Sequence, residues 1–203
     1  FANIHLTLKS LLLQSEKPDR IIVYLGSDSS RELFTKEMLE LEQYGVEYHI
    51  DSARNLKSHK KYFYAMQEFP DDVVVTADDD VYYPSNWLSG LLKSYRKFPN
   101  AVSARRVHLM KKNGNELAFY NYWEDQCRRV KKPSFSLIAT GCSGILYPPH
   151  SLKPEAFDEK SFEELCFDAD DIWLKCMEVL NNVPVVWVKN WEVDPLDVAD
   201  STK

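Results

Sequence analysis

No apolar run in this 203-residue chain approaches the eighteen or so residues that a helix needs to cross a bilayer, so no membrane span is expected. A signal peptide is not visible either, and no internal repeat or low-complexity linker divides the chain. One domain covering 1–203 is therefore expected. The four cysteines, Cys127, Cys142, Cys166 and Cys176, form no CxxC pair or other zinc spacing, which argues against a zinc-stapled module. They read as reduced thiols of a cytosol-like compartment, with an extracellular disulfide pair as the alternative. The expected location is the cytoplasm or the periphery of the inner membrane. Basic residues are in deficit, 25 against 31 acidic, and the net charge of −6 argues against nucleic acid or an anionic membrane as the main partner.

What is present is a globular composition, with 44% hydrophobic and 13% aromatic residues, and a regular alternation of helical and strand patterns. Ile4, Leu8, Leu11 and Leu12 recur at helical spacing, and an apolar strand pattern runs from Arg20 to Leu25. Ser29 and Glu32 match a capping box for a helix reaching Tyr44, with Leu33, Met38 and Leu41 as its buried stripe and Gly45 as its end. Val46 to Ile50 predicts another strand, and Lys57 to Phe69 a short helix. This βαβα order predicts an α/β fold built on a mostly parallel sheet with helices on both faces, which the second half turns into a mixed sheet. After a strand over Ala101 to Arg105 the regularity breaks. Asn113-Gly114 signals a hairpin, Ser134 to Tyr147 a strand interrupted at Gly141 to Gly144, Asp168 to Asn182 a helix, and Val183 to Val188 a closing strand. In that helix Ile172, Trp173, Cys176 and Val179 or Leu180 are expected to face inward.

The rest is organised around Val73 to Pro84. Five small or β-branched residues predict a strand buried on both faces, and Asp78, Asp79 and Asp80 follow where it ends. Ligands of open α/β sheets bind at the carboxyl edge of the strands, and adjacent acids repel unless a cation lies between them. Hard oxygen ligands suit Mg²⁺ or Mn²⁺, although an Asp triplet also serves as an ordinary solvated turn. Asp28 and Asp51 leave two other predicted strands and share that edge. Lys57 to Lys61 forms a basic cluster, with Lys60 the favoured partner for phosphate, or else a solvated helix start. Arg105 and Arg106 suit a phosphate, an acceptor or a surface ion pair. His150 reads as a turn residue.

Three features together, Asp78-Asp79-Asp80 after a strand, Gly141-x-x-Gly144 before Tyr147-Pro148-Pro149, and Asp170-Asp171-Ile172-Trp173-Leu174 opening a helix, resemble the GT-A glycosyltransferases. The pattern, over roughly residues 1 to 190, is most similar to the inverting, family-2-like bacterial enzymes of polysaccharide and glycoconjugate assembly. The family's first strand and nucleotide-holding loop have no counterpart, since the chain opens at what matches the following helix. The resemblance implies a nucleotide-binding half over about 1–105 and an acceptor-binding half over about 106–190. It implies transfer from a nucleotide-sugar donor, expected to be a UDP-sugar, to a saccharide or glycoconjugate acceptor, with Mn²⁺ or Mg²⁺ as cofactor. Asp28, Asp51, Lys60, Asp78 and Asp79 would hold the donor, and Asp80 with Asp79 the metal. Gly141, Gly144 and Trp123 would meet the acceptor, and Asp171, or else Asp170, would be the base. Past Asn190 the sequence lacks the late histidine ligand that some related enzymes carry. A sugar-nucleotide nucleotidyltransferase and a silent carbohydrate-binding or assembly module are the alternatives; no Gly-rich phosphate loop supports the first.

Overall fold

The computed structural model describes residues 3–189 and 195–198. Its elements run α1 (Ile4–Leu12), β1 (Ile21–Leu25), α2 (Lys36–Leu41), β2 (Val46–Ile50), α3 (Lys60–Glu68), β3 (Val74–Thr76), β4 (Val81–Tyr82), α4 (Trp87–Lys97) and β5 (Val102–Ala104). The second half adds β6 (Val107–Leu109), β7 (Lys112–Asn113), β8 (Glu116–Leu117), β9 (Leu137–Ala139), β10 (Ile145–Tyr147), α5 (Glu159–Cys166), α6 (Asp170–Leu180), β11 (Val185–Trp187) and β12 (Leu196–Asp197). The comparison with a late histidine ligand falls largely outside the described residues.

Pairing is more mixed than the alternation predicts. β1 and β2 are parallel, with Ile21 opposite Val46 and Leu25 opposite Ile50. A separate four-stranded sheet has the order β11-β5-β10-β3, in which β11 and β5 are parallel while β10 runs antiparallel to both β5 and β3. β3 therefore lies at an edge, paired only with β10. Thr76 is buried but Val74 and Val75 are half-buried, so the doubly covered strand expected there is only partly realised. Helix α3 packs on both β1 and β3 and ties the two sheets together. The hairpin forms as β7 and β8, with Gly114 at φ 63° in its turn.

Two helices depart from their predicted phase. The Ser29 to Tyr44 segment splits into a 3₁₀ turn at Arg31–Leu33, α2, and a second 3₁₀ turn at Glu42–Tyr44. The cap is Thr35, whose side chain accepts from the Met38 N–H, rather than the Ser29/Glu32 box, and Leu33 is exposed. Met38 and Leu41 are buried and Gly45 ends the segment at φ 86°, as expected. In α6 the inward residues are Trp173, Leu174 and Met177, joined by Lys175 and Glu178, whereas Cys176, Val179 and Leu180 are exposed. The charged pair took the place that hydropathy alone assigns to apolar side chains. Helix α5, absent from the predicted order, is pinned by the fully buried Phe162.

Gly144 sits between the Gly141–Ser143 turn and β10, at φ 91°. A Cβ there would lie 2.3 Å from Cζ2 of Trp87, whose indole N–H donates to Ser143 O at 2.8 Å. The tryptophan thus fills the space a side chain would need. Gly144→Ala is expected to lower stability by about 1 to 3 kcal/mol from the backbone alone, plus the cost of moving Trp87. An unchanged denaturant midpoint would contradict this packing.

Candidate active site

Because β1 and β2 are parallel, Asp28 and Asp51 leave them at the same edge, and the Asp78–Asp80 turn follows β3. Lys60 connects two of these positions. Its Nζ donates to Asn55 Oδ1 at 2.5 Å, and burial lowers its pKa while the charges of Asp28 and Asp79 oppose that shift. Asp28, Lys60 and Asp79 thus share one electrostatic neighbourhood. Asp51 is differently occupied. It accepts from Tyr64 Oη at 2.7 Å, from the Ala53 N–H at 2.9 Å and from Arg54 Nε at 3.1 Å, and these bonds, led by Tyr64, hold its pKa at about 2. It organises its own loop while lining a hollow of about 600 Å³ with Tyr24, His49 and Tyr64.

The densest convergence is at Lys61, which the sequence reading passed over for its neighbour. Its Nζ pairs with Asp78 Oδ1, and the Asp78 N–H donates to Tyr83 Oη at 2.9 Å. Burial works against the Lys61 charge, but the fields of Asp78, Asp170 and Asp171 outweigh it and raise the pKa. Gly141 marks the meeting point. A Cβ on it would lie 3.5 Å from Lys61 Nζ, 3.6 Å from Asp171 Oδ1 and 3.9 Å from Asp78 Oδ1. Three charged groups from three elements therefore surround one small residue.

Asp171 accepts from the Gly141 N–H, at 3.2 Å through Oδ1 and 3.4 Å through Oδ2. Burial, followed by the charge of Asp170, pushes its pKa up to about 7, against the Gly141 bond and Lys61. Ala169 is the N-cap of α6, with no side-chain cap, so Asp170 and Asp171 are its first two residues. Asp168 does not cap the helix. It is exposed and pairs with Lys57 at 2.6 Å.

Asp79 and Asp80 are exposed, and their backbone carbonyls are held by Thr7 Oγ1 at 3.0 Å and the Val198 N–H at 2.8 Å. The Asp80 pKa is raised by burial and then by Asp79, Asp78 and Asp197. Among the described residues no three carboxylates, imidazoles or thiols converge as a ready metal cage. The donor set fits Mg²⁺ or Mn²⁺ held by one or two carboxylates, with phosphate oxygens and water completing the shell. Crowded, exposed carboxylate oxygens suit that arrangement.

Of the residues expected at the acceptor, Gly141 stands at the centre and Gly144 packs against Trp87. Trp123 donates to Ala118 O at 2.8 Å and its ring lies tilted against Tyr120 with centroids 5.1 Å apart, and no hydrogen bond or ring contact among the described residues joins it to Gly141 or Asp171. Arg105 is buried, donating to the carbonyls of Asn86 and Trp87. His150 is exposed and pairs with Asp71. Sequence reasoning also missed Lys175 and Glu178, a buried pair at 3.4 Å whose burial outweighs their attraction and moves both toward neutrality.

The family described as Glycosyl transferase family 2 matches residues 1–150, a span that includes the acid triplet and the Gly141–Gly144 turn. No curated protein shows significant similarity to the chain.

The Asp171 environment fixes a pH dependence of stability. Its folded pKa lies above the unfolded one, so between about pH 4 and 7 the native state holds the extra proton and stability falls as pH rises through that window. Asp171→Asn lacks this slope. The variant is expected to be more stable than the parent at pH 8 and little changed at pH 4, as checked by denaturant titrations at both values. Equal offsets at the two pH values would contradict the assignment.

Proposed function

The chain belongs to glycosyl transferase family 2 and has the GT-A fold, and on that premise we propose that it moves a sugar from a nucleoside diphosphate donor, a UDP-sugar, to an acceptor hydroxyl with inversion. The observation that carries the mechanism is the buried carboxylate of Asp171 on the Gly141 N–H, beside the Lys61–Asp78 pair. Residues 170 and 171 lie beyond the matched span, so this assignment rests on their geometry.

Asp171 acts as the base. With a pKa near 7 its carboxylate is basic enough to take the acceptor's proton and is still substantially ionised at neutral pH. The acceptor oxygen forms its bond to the anomeric carbon as the bond to the departing diphosphate breaks, and the proton passes to Asp171 and then to water. Asp78 is tied to Lys61 and is poorly placed to serve as a nucleophile for a double displacement, which favours a single inverting step. Lys61 keeps the surrounding carboxylates tolerable. Asp28 and Lys60 face the donor, with Asp51 bordering the adjoining hollow. Asp79 and Asp80 would hold Mn²⁺ or Mg²⁺, which when bound supplies Lewis-acid stabilisation of the diphosphate's growing charge. The acceptor class that this reading suggests is a saccharide or glycoconjugate.

Two substitutions separate these roles. Asp171→Asn is expected to keep Mn²⁺-dependent UDP binding by calorimetry while losing transfer by at least about a hundredfold; parental turnover at saturating substrates would sink the base assignment, and a loss confined to Asp170→Asn would move it one residue back. Asp80→Ala is expected to stay folded and lose the synergy between UDP and Mn²⁺ in thermal unfolding. Undiminished synergy would remove Asp80 from the metal site.

A further inference from the structure

The turn that presents Gly141 to Asp171 continues into a cavity of about 220 Å³, lined by Arg105, Arg106, Arg128, Cys142, Val81 and Asp197 among others. Of these arginines Arg105 is engaged inside the protein, which leaves Arg106 and Arg128 as the cations to consider, with Asp197 the acid among the described lining residues. Arg106 is only partly engaged: Nη1 donates to Cys142 Sγ at 2.9 Å, Nη2 lies 3.7 Å from Asp125 Oδ1, and its buried Nε has no hydrogen-bond partner among the described residues. The buried Nε carries the cost of an unpaired donor, while the two Nη groups, engaged by a thiol and by a carboxylate beyond hydrogen-bond distance, have donors left for a ligand's oxygens. Arg128 is exposed and forms no ion pair among the described residues. Planar guanidinium forks clustered in this way match the oxygens of a phosphate better than a lone carboxylate.

We propose that this cavity binds a phosphate group carried by the acceptor, which makes the substrate class a phosphorylated saccharide or a phosphate-linked glycoconjugate. The inference rests on the transferase reading above. Val81 and Asp197 bring the cavity beside Asp80, and Cys142 brings it beside the base; the acceptor assignment uses the second of these contacts. Lys60 stands with Asp28 and Asp79 at the other strand ends, whereas Cys142 belongs to the turn whose Gly141 N–H holds the base. A phosphate seated on Arg106 and Arg128 anchors the acceptor next to the carboxylate that must reach its hydroxyl, so affinity for that group is spent on orientation.

The test titrates inorganic phosphate against chloride at matched ionic strength, without divalent cations, and reads thermal unfolding of the full chain. The parent is expected to show saturable stabilisation by phosphate, undiminished by saturating UDP with Mn²⁺. Arg128→Gln and Arg106→Gln are expected to weaken phosphate binding by about tenfold or more, and Lys60→Gln to leave it unchanged. Arg128 is exposed, so its variant keeps the test valid if Arg106→Gln fails to fold. Parental phosphate affinity in Arg128→Gln, or no phosphate response in the parent, overturns the site. Displacement of phosphate by UDP, with loss of the response in Lys60→Gln, assigns the anion to the donor and overturns the acceptor assignment. Failure of the parent to bind UDP with Mn²⁺ faults the transferase reading separately, because the titration with phosphate alone contains neither and still reads the anion site.

Discussion

The pairing of Lys61 with Asp78 is the constraint on which the rest of the site depends. It joins the first turn of α3 to the end of β3, while α3 itself packs on both β3 and β1, so the pair fixes the acidic turn to the helix that links the two sheets. Taking such charges partly out of water is costly, and a pair of this kind is weak evidence for stability as such. Its value here is positional. With Lys61 in place, Asp78 and Asp171 can both approach one glycine, and the turn after β9 can close over them.

The same pair divides an acidic triplet that looks uniform in sequence. Asp78 is turned toward the interior and committed to a lysine, while Asp79 and Asp80 are left exposed, anchored through their backbone carbonyls by α1 and by the segment around β12. Three adjacent aspartates therefore have two distinct employments. The turn that separates them is anchored at its backbone by Thr7 and Val198, residues distant in sequence that no local pattern encodes.

Much of the first half was legible because amphipathic helices and apolar strands of ordinary length announce themselves by period. Ile4 and Leu8 on α1, the βα order, and Asp28 and Asp78 at strand ends all follow from local pattern. The sheet pairing was not legible, since β10 enters antiparallel between β5 and β3 through contacts of long sequence separation. The phase of α6 misled for a different reason. Lys175 and Glu178 satisfy each other inside the protein, so two charged residues occupy inward positions and the exposed Cys176, Val179 and Leu180 supply a false apolar stripe. Lys60 and Lys61 are indistinguishable by type and differ only in which carboxylates the helix turns them toward. Asp170 and Asp171 were legible as a pair, but the depth of Asp171 came from the Gly141 turn.

The inward charges of α6 bear on how its base exchanges protons. Glu178 lies seven residues, two helical turns, beyond Asp171, and its own pKa is pushed up to about 7 by burial, with the Asp171 charge adding to the shift. Two interior carboxyls on one rod then load and unload protons over the same range, each discouraging the other's ionisation. Helix α6 therefore carries a second interior carboxyl of raised pKa two turns beyond the base, and the field of the base reaches that far along the rod.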